Sequence, residues 1–242
     1  GHPRGLLVCF TTEMWERFSF YGMKFLLLLY LTKYHLFSDS DGLEVLGAYA
    51  ALVYAMPVIG GLLADRYLGM RKAVIFGGVL LVLGHLGMAL EGEQARQVGD
   101  TVVRDTGTLQ AFYFSLAMIV IGVGFLKPNI STIVGRLYGA DDPRRDAGFT
   151  IFYMGINIGA FAATLLCGYL GETFGWRYGF GVAGIGMVIG LATFLYGQKH
   201  LHGLAEPRDN ALLQQKSPLG INKEWTIYLC GLLAVFAAWK ML

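Results

Sequence analysis

The chain has 242 residues, 55% hydrophobic and 15% charged, with a mean hydropathy of +0.53. A soluble domain carries about 25% charged residues, so an ordinary globular domain is excluded and the chain falls among membrane proteins. The net charge of +2 leaves no footprint for a nucleic-acid partner.

Six apolar segments predict membrane helices, at residues 5–34, 43–66, 73–91, 109–138, 148–170 and 177–198. A span needs about 20 residues, so the long first and fourth segments must tilt or protrude. A β-barrel is excluded, because its strands are about 10 residues long and alternate strictly. The first apolar run is too long for a signal peptide and no small-residue cleavage site follows it.

The first segment contains TTEMWERFSFYGMKF, residues 11–25. It holds Glu13, Glu16, Arg17 and Lys24, and each charge at a bilayer centre costs at least about 2.5 kcal/mol. On a helical wheel these four, with Phe20 and Tyr21, fall within an arc of about 140°. The charges therefore form one stripe facing a bundle or cavity, and the apolar remainder (Met14, Trp15, Phe18, Ser19, Gly22) is expected to face outward. Glu13 and Arg17 are spaced i,i+4 with the acid first, the favourable order. A carboxylate held by Arg17 stays ionised, and the same carboxylate takes a proton in low dielectric once the arginine is drawn away. The stripe reads as a proton and substrate site, since four alternating charges are costly for packing alone.

The loop after the second segment carries Asp65, Arg66, Arg71 and Lys72 where one helix leaves the membrane and the next enters. Such charges can pair with neighbouring helix ends in one conformation and release in another, a gate latch. His85 is a lone histidine in the third segment and is expected to be a satisfied core residue. In the fourth, Lys127 precedes Pro128, which should kink the helix, while Asn129 and Ser131 can satisfy freed backbone groups. Lys127 lies too deep to snorkel and is expected to pair with Glu13, with Glu16 or with a ligand carboxylate. DPRRDAGF (142–149) reads as a turn, with Arg144 and Arg145 as topology determinants. Gly155, Gly159 and Ala163 in the fifth segment, and Gly186 and Gly190 in the sixth, form small-residue packing faces. Residues 199–222, with Pro207 and Pro218, read as a linker, and a further apolar run occupies 223–242. The three cysteines, Cys9, Cys167 and Cys230, lack metal-ligand spacing and are expected to be buried thiols. No metal or nucleophile constellation is present.

Lysines and arginines set the orientation. Ten (Arg4, Arg66, Arg71, Lys72, Arg136, Arg144, Arg145, Lys199, Arg208 and Lys216) fall on one side, against four (Lys33, Arg96, Arg104 and Arg177) on the other. The ten-residue side, with the N-terminus and the linker, is expected to be cytoplasmic. Six spans, a linker and more apolar chain suggest half of a larger transporter built from inverted three-helix repeats.

With these residues in hand, the chain resembles the proton-dependent oligopeptide transporter family of the major facilitator superfamily. Four motifs carry the likeness: ExxERF followed by YG (Glu13, Glu16, Arg17, Phe18, Tyr21, Gly22); GGLLADRYLGMRKAV (60–74); FLKPN with Lys127; and FYMGINIGAF (152–161). The resemblance implies an all-α fold of two six-helix halves, with residues 1–198 as the N-terminal bundle, 199–222 as a cytoplasmic linker and 223–242 as the start of an inserted membrane helix. A C-terminal half, holding the acid for the peptide amino terminus, would be missing. It implies a proton-coupled symporter of di- and tripeptides, not an enzyme, in a bacterial inner membrane, with protons as coupling ion and no cofactor. Glu13, Glu16, Arg17 and Lys127 would couple protons; Arg17, Tyr21, Lys24, Tyr54, Lys127 and Asn157 would bind substrate; Asp65, Arg66 and Arg71 would form the gate loop. Phe20 stands where many members have a tyrosine and Lys24 where many have arginine, which bears on affinity. An alternative keeps the fold and moves nitrate, a drug or another small anion.

Overall fold

The structure, a computed structural model, describes residues 1–216 and 220–242. Pro218 of the expected linker lies outside the described residues. Helix α1 spans Arg4–Leu29 and ends in a π-helical turn, Tyr30–Tyr34; α2 spans Asp39–Leu63 and ends in another, Ala64–Leu68; α3 spans Met70–Met88. A hairpin follows, β1 Arg96–Val98 and β2 Thr101–Val103, then α4 Thr106–Arg136, α5 Arg145–Phe174 and α6 Trp176–Gly197. After a short 3-10 turn come α7, Asn210–Gln214, and α8, Lys223–Met241.

The helices begin before their apolar runs where polar caps extend them. Ser38 accepts from the Asp41 amide (3.1 Å), and Asp105 from the Thr108 amide (3.1 Å). These caps satisfy first-turn donors with no intrahelical partner. The hairpin is not among the expected elements. Its signal is Gly99-Asp100 between RQV and TVV, with Gly99 at φ +61° pairing Val98 with Thr101; glycine takes such a two-residue turn without strain.

Helices α2 to α6 are long and apolar enough to cross a membrane, and the chain is a membrane protein. Helix α1 is as long but carries its four charges. Helix α4 packs on α2 and α3, α1 packs on α5 and α6, and α3 meets α6. Each three-helix unit thus sends its first helix against the second and third of the other, the exchange an inverted repeat implies.

Glycine permits the close crossings. A Cβ at Gly159 would lie 2.2 Å from the Met14 carbonyl, and one at Gly186 would meet Phe18. The small-residue faces of α5 and α6 therefore receive α1. This corrects the outward apolar face expected there, since Phe18, Ser19 and Gly22 are buried. A wheel separates polar from apolar positions, but at a bundle centre the apolar side meets helices instead of lipid.

Arginines gather at one end of the bundle. Arg136 reaches Asp65 (3.4 Å), Arg208 reaches the same carboxylate (2.7 Å), and Arg71 pairs with Glu206 (2.5 Å). At the opposite end Lys33 pairs with Glu172 (3.2 Å) and Arg104 donates to the His35 carbonyl (2.7 Å). The 142–149 stretch is only partly a turn, because α5 begins at Arg145. Hydrogen bonds from Arg144 hold the Asp142 carboxyl down at about 2.

The described part of 199–222 is not a free strand of chain. Leu201, Ala205 and Leu213 are buried, and the Arg71 amide donates to the Ala205 carbonyl (2.9 Å). Gly69, at φ +78°, sits so close to Pro207 that a Cβ would lie 2.5 Å from the proline nitrogen. Helix α8 lies against α4 and also reaches α3, where Gly231 meets Phe76 and Glu224 pairs with Lys72 (2.7 Å). Cys9 and Cys167 are buried, whereas Cys230 is exposed because it lies on the outer side of α8.

Candidate functional site

The charged stripe of α1 turns inward as its spacing requires. Glu13 and Arg17 are each 2% exposed and Glu16 is fully buried. Which acid holds the arginine differs from the i,i+4 expectation. Arg17 grips Glu16 with two donors, Nε to Oε2 and Nη2 to Oε1 (2.6 Å), while Glu13 Oε1 lies 3.3 Å from Nε. The fork of a guanidinium matches a carboxylate through two parallel bonds, so the bidentate partner is the stronger one. Glu13 Oε2 is left buried without a partner among the described residues. An unpartnered carboxylate oxygen in low dielectric is costly to bury.

Arg17 also lies over the Phe20 ring, with Cζ 4.6 Å from the centroid. Phe20 is buried against Tyr21 (5.3 Å) and Tyr49 (6.3 Å). The aromatic face supplies a quadrupole to the cation. Tyr49 lies beside the cluster, through Phe20, and is a residue that sequence reasoning missed. It is fully buried and its hydroxyl has no partner among the described residues. The buried positions Val45, Tyr49, Val53 and Gly60 mark the inward stripe of α2, and that periodicity is the signal that could have found it.

Helix α4 continues unbroken through Pro128. A proline removes the hydrogen bond to the carbonyl four residues back, here Gly124. Asn129 does not cap it; its amide donates to the Phe125 carbonyl (2.6 Å). Gly60 of α2 comes up against the Gly124 oxygen instead, so close that a Cβ would lie 2.0 Å away. Ser131 and Thr132 donate to the Pro128 carbonyl (3.0 and 2.8 Å).

Lys127, on the turn before this proline, makes no ion pair with Glu13 or Glu16 among the described residues. Of its expected partners the two acids are therefore not engaged, and its ammonium faces the Tyr54 ring, at 5.9 Å. Arg17 already neutralises Glu16, so the lysine is not drawn into the cluster. Lys24 is also without an ion pair among the described residues, and like Lys127 and Tyr21 it is half-buried. Tyr54 and Asn157 are exposed, and Asn157 donates to the Tyr153 carbonyl (3.2 Å). The structure thus divides the expected substrate residues. Arg17 is enclosed with its acids, and Tyr21, Lys24, Tyr54, Lys127 and Asn157 keep some access.

The residues of the expected latch have partners. Asp65 bridges Arg136 and Arg208, Arg71 is bound by Glu206, and Arg66 lies over the Tyr67 ring (5.5 Å). His85 departs from expectation: it is buried, and neither ring nitrogen has a partner among the described residues. The glycine-rich crossings of α3 with α4 and α6 bring no polar group to it.

The family model described as PTR2, POT family, matches residues 71–219. An uncharacterized transporter, YclF of Bacillus subtilis, is 42% identical over 225 residues, covering 91% of this chain and 43% of the relative. A di-/tripeptide transporter of Lactococcus lactis is 41% identical over 207 residues, covering 82% of this chain and 38% of the relative. The crystal structure of peptide transporter POT in complex with sulfate superposes with a TM-score of 0.76 at 39% identity, covering 98% of this chain and 45% of that one. The chain therefore spans less than half the length of these relatives.

Proposed function

The chain belongs to the POT family, and from that premise we propose that it is the peptide- and proton-handling bundle of a symporter that imports di- and tripeptides by alternating access. The observation that carries this is the division of charge between the α1 stripe and the α4 lysine facing the same bundle. Arg17 is held and neutralised by buried acids, while Lys24 and Lys127 stand without ion pairs among the described residues. An anionic group entering between them finds uncommitted cations, and a proton entering the cluster finds the unpartnered Glu13 Oε2.

The coupling follows. With both acids ionised, Glu16 grips Arg17 through two bonds. Protonating the cluster loosens that grip, and a peptide carboxylate recruits the freed guanidinium beside Lys24 or Lys127. Proton and peptide each make the other's binding more favourable, which is the reciprocity coupling requires. Tyr21, Tyr54 and Asn157 supply hydrogen bonds to the peptide. The acid for the peptide amino terminus would come from a second six-helix half. The protein would be a transporter and not an enzyme, with the proton as coupling ion and no cofactor. The arginine-rich end is assigned to the cytoplasm of a bacterial inner membrane by the positive-inside rule, with the N-terminus inside and the Asp65–Arg66–Arg71 loop as the cytoplasmic latch.

Labelled dialanine uptake into proteoliposomes of the full-length protein tests this, under an inward proton gradient with and without an uncoupler. Gradient-dependent accumulation that excess tripeptide abolishes is the expected result. Absence of accumulation, with folded protein in the vesicles, would reject the peptide assignment and leave the cations to another small anion such as nitrate.

A further inference from the structure

Beyond Lys127, the arginine-bearing ends of α4 and α5 flank an open, shallow cavity of about 410 Å³, lined by Ser131, Thr132, Arg136, Arg145, Phe149 and Tyr153. On α4, positions 127, 131 and 135 recur at i,i+4 and share one face; on α5, positions 157, 153, 149 and 145 do the same. Two stripes therefore lead from the substrate residues Lys127 and Asn157 to the cytoplasmic end. From Lys127 to Gly135 the path is about 12 Å, eight residues of helical rise.

The end of this path is basic. Arg136 is partly committed, to Asp65 (3.4 Å) and the Leu204 carbonyl (3.2 Å). Arg145 is half-buried and makes no ion pair or side-chain hydrogen bond among the described residues. It also edges a neighbouring cavity with Asp141, Asp142 and Asp146, yet pairs with none of them; Asp142 is taken by Arg144 (2.6 Å). Its guanidinium lies over Gly135, where a Cβ would sit 3.7 Å from Nη2 and 3.6 Å from the Phe149 ring. The absence of a side chain at position 135 opens the cavity to that guanidinium. The Ser131 and Thr132 hydroxyls donate to the backbone and keep lone pairs, while Phe149 and Tyr153 stack at 6.3 Å and give an apolar wall.

We propose that this cavity is an exit station: after release from Lys127, the peptide's terminal carboxylate is held by Arg145, with Arg136 and the α4 hydroxyls beside it, before it reaches the cytoplasm. A planar guanidinium binds a carboxylate through two donors and suits brief capture of that group. The proposal rests on the peptide reading above. It makes the inner face bind peptide by a residue that the outer face never uses.

The test compares half-saturating dialanine concentrations at the two faces of the full-length protein in proteoliposomes, by uptake from outside and by efflux from loaded vesicles. Arg145→Gln is expected to raise the internal value about tenfold and to leave the external value within about twofold. Arg145→Lys should keep the internal value within about threefold of wild type, since the charge survives without the fork. Gly135→Leu, which fills the space against Arg145 and Phe149, should reproduce the asymmetry, and these two variants carry the test if Arg145→Gln does not fold. A purely structural role would shift both faces together. Equal shifts, an unchanged internal value, or an internal value that follows the anionic-lipid content of the vesicle would each overturn the station. In the last case the guanidinium serves a lipid phosphate. Wild-type protein that moves no dialanine at either face would instead fail the peptide reading itself.

Discussion

Glu16→Gln removes one charge from the buried cluster with almost no change in volume. In the wild type, Arg17 Nε and Nη2 both donate to the Glu16 carboxylate, and Glu13 stands 3.3 Å from Nε. An amide keeps one acceptor and turns the other position into a donor. Whichever way the substituted side chain points, one Arg17 hydrogen bond is lost and an N–H faces an N–H. A hydrogen bond to a charged group is worth about 1.5–3 kcal/mol. Breaking a buried pair outright costs about 3–5 kcal/mol. Glu13 remains as a counterion, so the lower part of that range, about 3 kcal/mol, is expected. The functional consequence is sharper. On the proposed mechanism Glu13 becomes the one acid left beside Arg17 among the described residues and must stay ionised, so the cluster is expected to take up no proton. Gradient-driven dialanine uptake should be abolished, while counterflow, which needs no net proton movement, should persist. Both are measured in the same proteoliposomes. Gradient-driven uptake within about twofold of wild type, roughly 0.4 kcal/mol in barrier terms, would refute this account of the cluster.

Two further outcomes follow from the packing. Asp65→Asn should cost under about 1 kcal/mol, because its two arginine contacts are exposed, yet alter the transport rate by releasing the 198–208 segment from α2; unchanged rate and protein level would remove the latch role. Gly60→Ala should lower thermal stability by about 1–3 kcal/mol, since its Cβ would meet the Gly124 oxygen at 2.0 Å and this contact is backbone that no rotamer can move; a melting temperature equal to wild type, followed by tryptophan fluorescence in detergent, would show that the two helices cross with room to spare.

Much of the molecule was legible from local pattern. Hydropathy marked the six helices of the bundle and α8, because a lipid-embedded backbone must satisfy its hydrogen bonds within its own segment and so declares itself over about 20 contiguous residues. Helical periodicity put Glu13, Glu16 and Arg17 on one face, and the small residues of α5 and α6 on packing faces. The separation of lysine and arginine loops matches the two ends at which those residues meet.

What local pattern could not carry is who meets whom. Spacing favoured Glu13 as the partner of Arg17, and the tertiary arrangement selected Glu16, because a long guanidinium side chain reaches around the helix wherever its neighbours leave room. Lys127 looked like a third partner until the cluster proved already neutralised. The outward face of α1 vanished because the glycines of α5 and α6, more than a hundred residues away in sequence, accept it. Pro128 frees a carbonyl by a rule the sequence declares, yet only the crossing of α2 at Gly60 shows where that carbonyl goes. Composition and periodicity therefore determined the membrane class, the helices and the charged stripe of this protein, since these depend on residues near in sequence. The choice of ion partner, the enclosure of Arg17 and the open cation at Arg145 were decided by tertiary structure, since each depends on atoms that distant segments bring within a few ångströms.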